Sequence, residues 1–441
     1  MSSVEIALGS LVLMLVLIYA GMHVAITLGL LSFVGVWMIR GDVGIAANLL
    51  AQSVSDAIAS HIFGVVPLFV LTGFLVAVAD VGKDAFDVAN QLFRRLRGGL
   101  GVATVAANAM FAAITGISIA SAAVFSRVAV PQMLRFGYQP RFAVGVVAGS
   151  SVLGMLIPPS LLMILYGFLS NQSVGDLFTA GIVPGLLLAF AYAVLIVLMA
   201  TFFPDKVRIP AASDIADDTP LMGWGEMAMK TLPIIILIGS VLGGIYTGWF
   251  TATEGGAVGA LVALLIAVAR RKLNWRSLWS VLTETGHVTV AVSFLIICAS
   301  IYTRMLAMSG TPQALVGWMA AIGVGVEVFL LLYVLLIIVL GTVIDSSSIM
   351  LIVLPLMLPV AEQLGLNLIW FGVVTVVAVE IGLLTPPFGL SAYVIRSSLG
   401  PTSPIKLGDI FIGSAPFTLT MLGVLGLLIA FPSLSLVLLA R

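Results

Sequence analysis

Gly154-Met-Leu-Ile-Pro158-Pro159-Ser160 and Gly382-Leu-Leu-Thr385-Pro386-Pro387 decide the reading of this chain. Each lies inside a run apolar enough to be a membrane helix, 141–169 and 368–396. Consecutive prolines remove two backbone donors and clash with the carbonyls of the preceding turn, so each helix breaks there. Freed carbonyls have no place in hydrocarbon. A broken helix at membrane depth is tolerated where it is packed in protein or lines a wet cavity. A shift of 228 residues carries Pro158-Pro159 onto Pro386-Pro387. The same shift carries Gly82 onto Gly310, Ser118 onto Ser346, Pro131 onto Pro359, Gly137 onto Gly365 and Gly154 onto Gly382. Four residues further out of register, Gly181 and Pro184 fall on Gly413 and Pro416. So many coincidences among sparse residues mark an internal repeat.

Composition fixes the solvent around these breaks. Of 441 residues 61% are hydrophobic and only 9% charged, with a mean hydropathy of +1.23. A soluble domain carries about 25% charged residues, so lipid must cover part of this one. Net charge is zero, which gives no argument for nucleic acid. Cys298 is the single cysteine, which excludes an intrachain disulfide, and His23, His61 and His287 lack ligand-like spacing. The N-terminus has Glu5 and no basic segment before its apolar run, so it reads as a first spanning helix and not as a cleaved signal.

Crossing a bilayer takes about 20 apolar residues. Such runs fall near 4–20, 22–39, 63–82, 141–169, 180–203, 232–250, 253–269, 288–308, 368–396 and 408–430. Two longer stretches, 99–134 and 327–361, are interrupted by Thr115-Gly116-Ile117-Ser118 and Asp345-Ser346-Ser347-Ser348, and each reads as a helical hairpin with a polar tip. Segments 42–60 and 83–97 are amphipathic and suit the membrane surface. The hydrophilic stretch 204–230 reads as a cytoplasmic linker between halves 1–203 and 231–441. Scaffold helices then occupy 1–82 and 232–308. If each hairpin re-enters on one side, fifteen of nineteen basic residues share the cytoplasmic face, and both termini lie outside. The halves enter from opposite sides, as inverted repeats of transporters do. The expected fold class is an all-α polytopic membrane protein of two inverted-topology repeats, each with a re-entrant hairpin and a Pro-Pro-broken helix.

Each break faces a tip. The tips offer the hydroxyls of Ser118, Ser121, Ser346, Ser347 and Ser348 and helix N-termini whose partial positive charge suits a carboxylate. Unwound carbonyls and hydroxyls suit Na⁺. A single Pro-Pro is equally a packing kink; two in register, each opposite a polar tip, read as an ion or substrate site. Intramembrane charges are candidates by default. Asp345 is a site residue or a cap, Glu380 a site residue or half of a buried pair, and Glu254 a helix-starting acid. Arg127 and Arg304 meet an anionic substrate, snorkel, or pair with a carboxylate. No nucleophile–base pair or metal cluster supports an intramembrane enzyme, and a pure scaffold has no use for two aligned breaks.

Pro67-Leu-Phe-Val-Leu-Thr-Gly73-Phe, Gly116-Ile-Ser118-Ile-Ala-Ser121-Ala, Pro131-Gln-Met-Leu-Arg-Phe-Gly137-Tyr138, Leu156-Ile157-Pro158-Pro159-Ser160, Thr251-Ala-Thr253-Glu254 and Thr385-Pro386-Pro387-Phe-Gly389 together give the chain a family likeness. It resembles, over essentially its whole length, the large membrane subunit of tripartite ATP-independent periplasmic (TRAP) transporters. The resemblance implies an elevator-type transporter of the ion-transporter superfamily kind, in the bacterial inner membrane, and no enzyme. It implies uptake of an organic acid driven by Na⁺ as coupling ion, with no other cofactor. A periplasmic substrate-binding protein would deliver the carboxylate, and a separate small membrane subunit of about four helices would complete the complex. By motif the Na⁺ sites fall on Ser118, Gly154, Ile157 and Pro158, and on Ser346, Gly382, Thr385 and Pro386. Substrate-binding candidates are Ser121, Ser160, Asp345, Ser347, Ser348 and Arg304. The first tip reads Gly-Ile-Ser where the family more often has Gly-Ser-Ser or Gly-Ser-Thr, so the two sites are expected to be inequivalent. The alternative is a stand-alone divalent-anion/Na⁺ symporter of similar architecture that needs no binding protein.

Overall fold

The structure is a computed structural model that describes residues 2–59, 62–209, 222–387 and 389–439. Ser60, His61, Asp214, Asp217, Asp218 and Arg441 lie outside the described residues. Apolar composition does not fix where helices begin; capping side chains do. Ser2 and Glu5 exchange hydrogen bonds to open α1 (Ser3–Tyr19), and left-handed Gly41 closes α2 (Val24–Arg40). Next come α3 (Val43–Ala59), α4 (Ile62–Val78) and α5 (Val81–Phe93), then a first hairpin of α6 (Gly99–Thr115) and α7 (Ser118–Arg135). A broken helix follows as α8 (Pro140–Ser151), α9 (Leu153–Leu156) and α10 (Leu161–Ser170), then α11 (Val174–Phe202) and the short α12 (Pro204–Val207). Beyond the linker stand α13 (Trp224–Ile238), continued through a π turn by α14 (Gly244–Tyr246), then α15 (Ala252–Ala269) and α16 (Trp275–Ser309). The helix α17 (Thr311–Ala321) leads to a second hairpin of α18 (Val326–Gly341) and α19 (Ser346–Gln363). The chain ends with α20 (Leu368–Leu384), α21 (Leu390–Ser398), α22 (Leu407–Ala430) and α23 (Ser433–Leu436).

Among the described residues the fold is all-α and polytopic. Of the described helices six are long and apolar enough to cross a membrane, and Pro140–Leu156 with Leu161–Ser170, bent by 40°, is so when taken as a pair. Helix bounds coincide at the 228-residue shift: α7 falls on α19, α8 with α9 falls on α20, and the start of α2 falls on the start of α15.

Two bodies of packing emerge. In one, α4 runs along α15 and α16 runs along α2. Small residues let these helices approach: a Cβ on Gly256 would lie 3.1 Å from Leu68, and one on Gly259 3.3 Å from the Thr72 hydroxyl oxygen. In the other, the hairpins and broken helices interlock with α11 and α22. There α8 crosses α22 where two glycines touch; a Cβ on Gly145 would lie 2.1 Å from the Gly413 carbonyl oxygen. The far half of each broken helix packs on the other half's hairpin, α10 on α19 and α21 on α7.

Two boundaries and one helix's packing differ from the sequence reading. The span expected from 288 is the end of a single 35-residue helix, α16. Asn274 and Ser277 cap its start, and no proline interrupts it, so the helix propagates through the more polar first turns. The last seven residues of the expected linker open α13, because Lys230 finds Asp87 (2.8 Å) and Glu226 (3.3 Å) and its charge is satisfied on the helix. The amphipathic α5 does not turn its apolar face to lipid. Val81, Phe86 and Ala89 are fully buried, and the helix packs on α6.

Candidate functional site

The first tip is held directly against the first break. Gly116, left-handed at φ +67°, ends α6, and its carbonyl accepts a hydrogen bond from the Leu161 amide (3.1 Å). A Cβ on Gly116 would lie 2.5 Å from the Pro159 oxygen, and one on Gly154 would lie 2.9 Å from both the Cα and the amide nitrogen of Ser118. Ser160 caps α10 by accepting from the Met163 amide (3.3 Å), while its hydroxyl donates to the Met155 carbonyl. Ile157 is extended at the end of α9 and packs against Gly185 of α11. The fold therefore gathers Ser118, Gly154, Ile157, Pro158 and Ser160 around one junction. Ser121 lies one turn into α7, buried, and its hydroxyl has no hydrogen-bond partner.

The second half is built differently. Gly382 meets the end of the first helix of its hairpin: a Cβ there would lie 2.6 Å from the Gly341 Cα. Thr385 ends α20, its hydroxyl donating to the Ile381 carbonyl (2.7 Å), and Pro386-Pro387 follows, a cis bond like Pro158-Pro159. Asp345 caps α19: it accepts from the Ser347 and Ser348 amides, both at 3.1 Å, and from the Ser348 hydroxyl. Those bonds occupy Asp345 and Ser348 within the tip itself.

Glu380 joins the two tips. It is fully buried on α20, and the Ser118 hydroxyl donates to its Oε1 at 3.4 Å. Ser346, at the start of α19, lies beside the same carboxylate. Oε2 has no hydrogen-bond partner, and neither has the buried hydroxyl of Tyr192, which feels the carboxylate's charge. Among the described residues no Lys or Arg pairs with Glu380. The sequence left Glu380 open between a site and a structural pair; its reach to both tips required the fold. The 228-residue shift gave one usable signal, since it sets Glu380 opposite an apolar residue, Val152.

The donors suit a hard monovalent cation. They are hydroxyls, freed carbonyls and one carboxylate, and no group of three His, Cys, Asp or Glu side chains suited to a metal occurs among the described residues. The unpartnered oxygens of Ser121 and Glu380 are buried acceptors of the kind such an ion satisfies. Arg304 makes no ion pair or hydrogen bond to either tip; it pairs across α16 and α3 with Asp56 (2.5 Å). Arg127 is exposed on α7. A cavity of about 700 Å³ opens away from the breaks, between Ser173–Thr179 and Ile245–Ala252.

The fold is shared with solved transporters. The YdaH transporter of Alcanivorax borkumensis superposes with a TM-score of 0.57 at 15% identity, over 88% of this chain and 89% of its own. MtrF of Neisseria gonorrhoeae does so with a TM-score of 0.56 at 11% identity, over 84% and 82%. Sequence relatives are nearer. The C4-dicarboxylate TRAP transporter large permease protein DctM of Pseudomonas aeruginosa is 34% identical over 85% of each chain. The sialic acid TRAP transporter large permease protein SiaM of Vibrio cholerae is 32% identical over 98% of this chain and 97% of its own. An ectoine/5-hydroxyectoine TRAP large permease, UehC of Ruegeria pomeroyi, is 28% identical over 96% of each. Residues 11–434 match the profile of the tripartite ATP-independent periplasmic transporter DctM component, and with the two broken helices in place the chain belongs to that family of multi-pass large permeases.

Proposed function

We propose that this permease imports an organic acid using a Na⁺ gradient. It resides in the bacterial inner membrane with both termini periplasmic, works with a small membrane subunit, and receives its substrate from a periplasmic binding protein. The observation that carries the reading is the junction at the first break, where the Ser118 backbone, the Gly116 carbonyl and the Pro158-Pro159 segment meet around buried oxygens. The substrates for which the relatives are named support the substrate class, since C4-dicarboxylates, sialic acid and ectoine all carry carboxyl groups.

Ser118, Gly154, Ile157 and Pro158 would hold one Na⁺; Ser346, Gly382, Thr385 and Pro386 would hold another. The ion would supply positive charge beside an anionic substrate at membrane depth, where an uncompensated charge costs several kcal/mol. Gly154 admits the Ser118 backbone, Gly116 admits the Pro159 carbonyl, and α11 backs Ile157 through Gly185. Ser121 and Ser347 remain substrate candidates, Ser121 with an unpartnered hydroxyl and Ser347 half-buried on its tip. Movement of the hairpin-bearing body against the other then exposes the sites to either side.

The test is uptake into proteoliposomes containing this chain, the small subunit and a loaded binding protein. Uptake that follows an imposed Na⁺ gradient and requires the binding protein is expected. Uptake indifferent to Na⁺ would sink the coupling, and full uptake without the binding protein would indicate a stand-alone symporter.

A further inference from the structure

Both hairpin tips end at one carboxylate. The helices α7 and α19 begin at Ser118 and Ser346; the Ser118 hydroxyl donates to Glu380 and Ser346 lies beside it. A helix N-terminus favours a nearby carboxylate. Burying an ion costs more than such a dipole returns, even after relaxation. Two N-termini and one long hydroxyl bond of 3.4 Å therefore leave a fully buried carboxylate undercompensated. Neither Lys nor Arg among the described residues makes up the difference, and Oε2 and the Tyr192 hydroxyl both lack partners. Because the repeat places Val152 in the equivalent position, the acid is supplied once and not once per half.

We propose that Glu380 is an anionic ligand shared by the two tips: besides the ion at each tip, it holds with the Ser118 and Ser346 hydroxyls a further hard monovalent cation between them, so that both tips load together. The proposal rests on the Na⁺-coupled reading above and deepens it. A cation at this point ties the ends of α7 and α19 to α20 at once. Occupancy at one tip then favours occupancy at the other, and Na⁺ activation rises more steeply than for independent sites.

The experiment follows the thermal midpoint of the purified permease with its small subunit as NaCl replaces choline chloride at constant ionic strength. The wild type is expected to gain stability with a saturable, cooperative Na⁺ dependence. Glu380→Gln keeps the shape and removes the charge; it should need about tenfold or more Na⁺ for half the gain, since weakening a metal site by even an outer partner costs 10–100-fold. Its Hill slope should fall toward one. The double variant Ser118→Ala/Ser346→Ala keeps the acid, should show the same loss of slope, and serves if Glu380→Gln does not fold. Glu362→Gln, an exposed acid at the far end of α19, controls for charge. A Glu380→Gln protein with a lowered midpoint but an unchanged Na⁺ dependence would reduce Glu380 to a structural residue and overturn the proposal alone. Absence of any Na⁺-specific gain in the wild type would overturn both the proposal and the Na⁺ coupling beneath it.

Discussion

Gly116 meets two demands that no residue with a Cβ meets together. Its φ of +67° is left-handed, and a Cβ would press to 2.5 Å on a backbone oxygen of the break, which cannot swing away. Gly116→Ala should cost about 1–2 kcal/mol for the left-handed conformation and more for the clash. The expected outcome is a permease that inserts but melts earlier and loses Na⁺-driven uptake, read by thermal shift and proteoliposome flux. Gly225→Ala, on the open first turn of α13 with nothing within 4 Å, should leave both unchanged. Ser346→Ala, which removes one hydroxyl from beside Glu380, should weaken Na⁺ dependence while membrane insertion stays intact; unchanged Na⁺ activation would leave Ser346 a packing residue. The residues at the first junction were legible because prolines, glycines and a repeat are signals along the chain. The part played by Glu380 was not, because an acid on α20 reaches the opposite half's hairpin only through the packing of the two halves. Asp345 was ambiguous for a related reason: a carboxylate before three serines reads as ligand or cap, and the fold shows the capping bonds, to the Ser347 and Ser348 amides.

At the scale of elements, α5 shows what an amphipathic pattern leaves open. The acid before it and the two acids on it each meet a base from α13 or the turn after α15: Asp80 pairs with Lys272 (2.7 Å), Asp84 with Arg270, and Asp87 with Lys230 (2.8 Å). Gln91 adds two bonds of 2.9 Å to the Met222 backbone. The helix that enters the first hairpin is thus fastened to α13 and to the turn after α15. The matching helix α17 carries no charged residue at all. The amphipathic pattern announced a polar face on α5 but not its partners, which lie more than a hundred residues away. The pairs are not equal. Asp84 and Arg270 are largely buried, with side chains 14% and 22% exposed, whereas Asp80 and Lys272 are about half exposed. Asp84→Asn should therefore cost about 1–2 kcal/mol, between the values for exposed and buried pairs. Asp80→Asn should cost almost nothing, and added salt should erase what little it does. Thermal midpoints of the two variants at low and high ionic strength check this; equal losses would mean that α5 is held by its apolar face alone.

For the whole molecule the decisive question is whether the hairpin-bearing body moves against the body built on α2, α4, α15 and α16. The composition gave the membrane and the prolines gave the breaks, but the division into bodies came from which helices pack on which. That division offers a direct trap. Gly73 on α4 faces Thr115 at the end of α6, and a Cβ on Gly73 would lie 3.6 Å from the Thr115 Cβ. This falls within the 3.5–4.5 Å span of disulfides, so Gly73→Cys/Thr115→Cys in a Cys298→Ala background should cross-link the two bodies without distortion. A matched control lies within one body: a Cβ on Gly29 of α2 would lie 3.9 Å from the Cβ of native Cys298 on α16, so Gly29→Cys alone can close a bridge there. If one body carries the sites past the other, oxidation of the first pair stops uptake and reductant restores it. The Na⁺-dependent gain in stability persists in that locked protein, because the tip and break are still in contact, and the oxidised Gly29→Cys protein transports as before. Full-rate uptake by the oxidised Gly73→Cys/Thr115→Cys protein would mean that the two bodies stay fixed and that the tips alone open and close. Loss of uptake in both cross-linked proteins would place the motion within the helices of the first body as well.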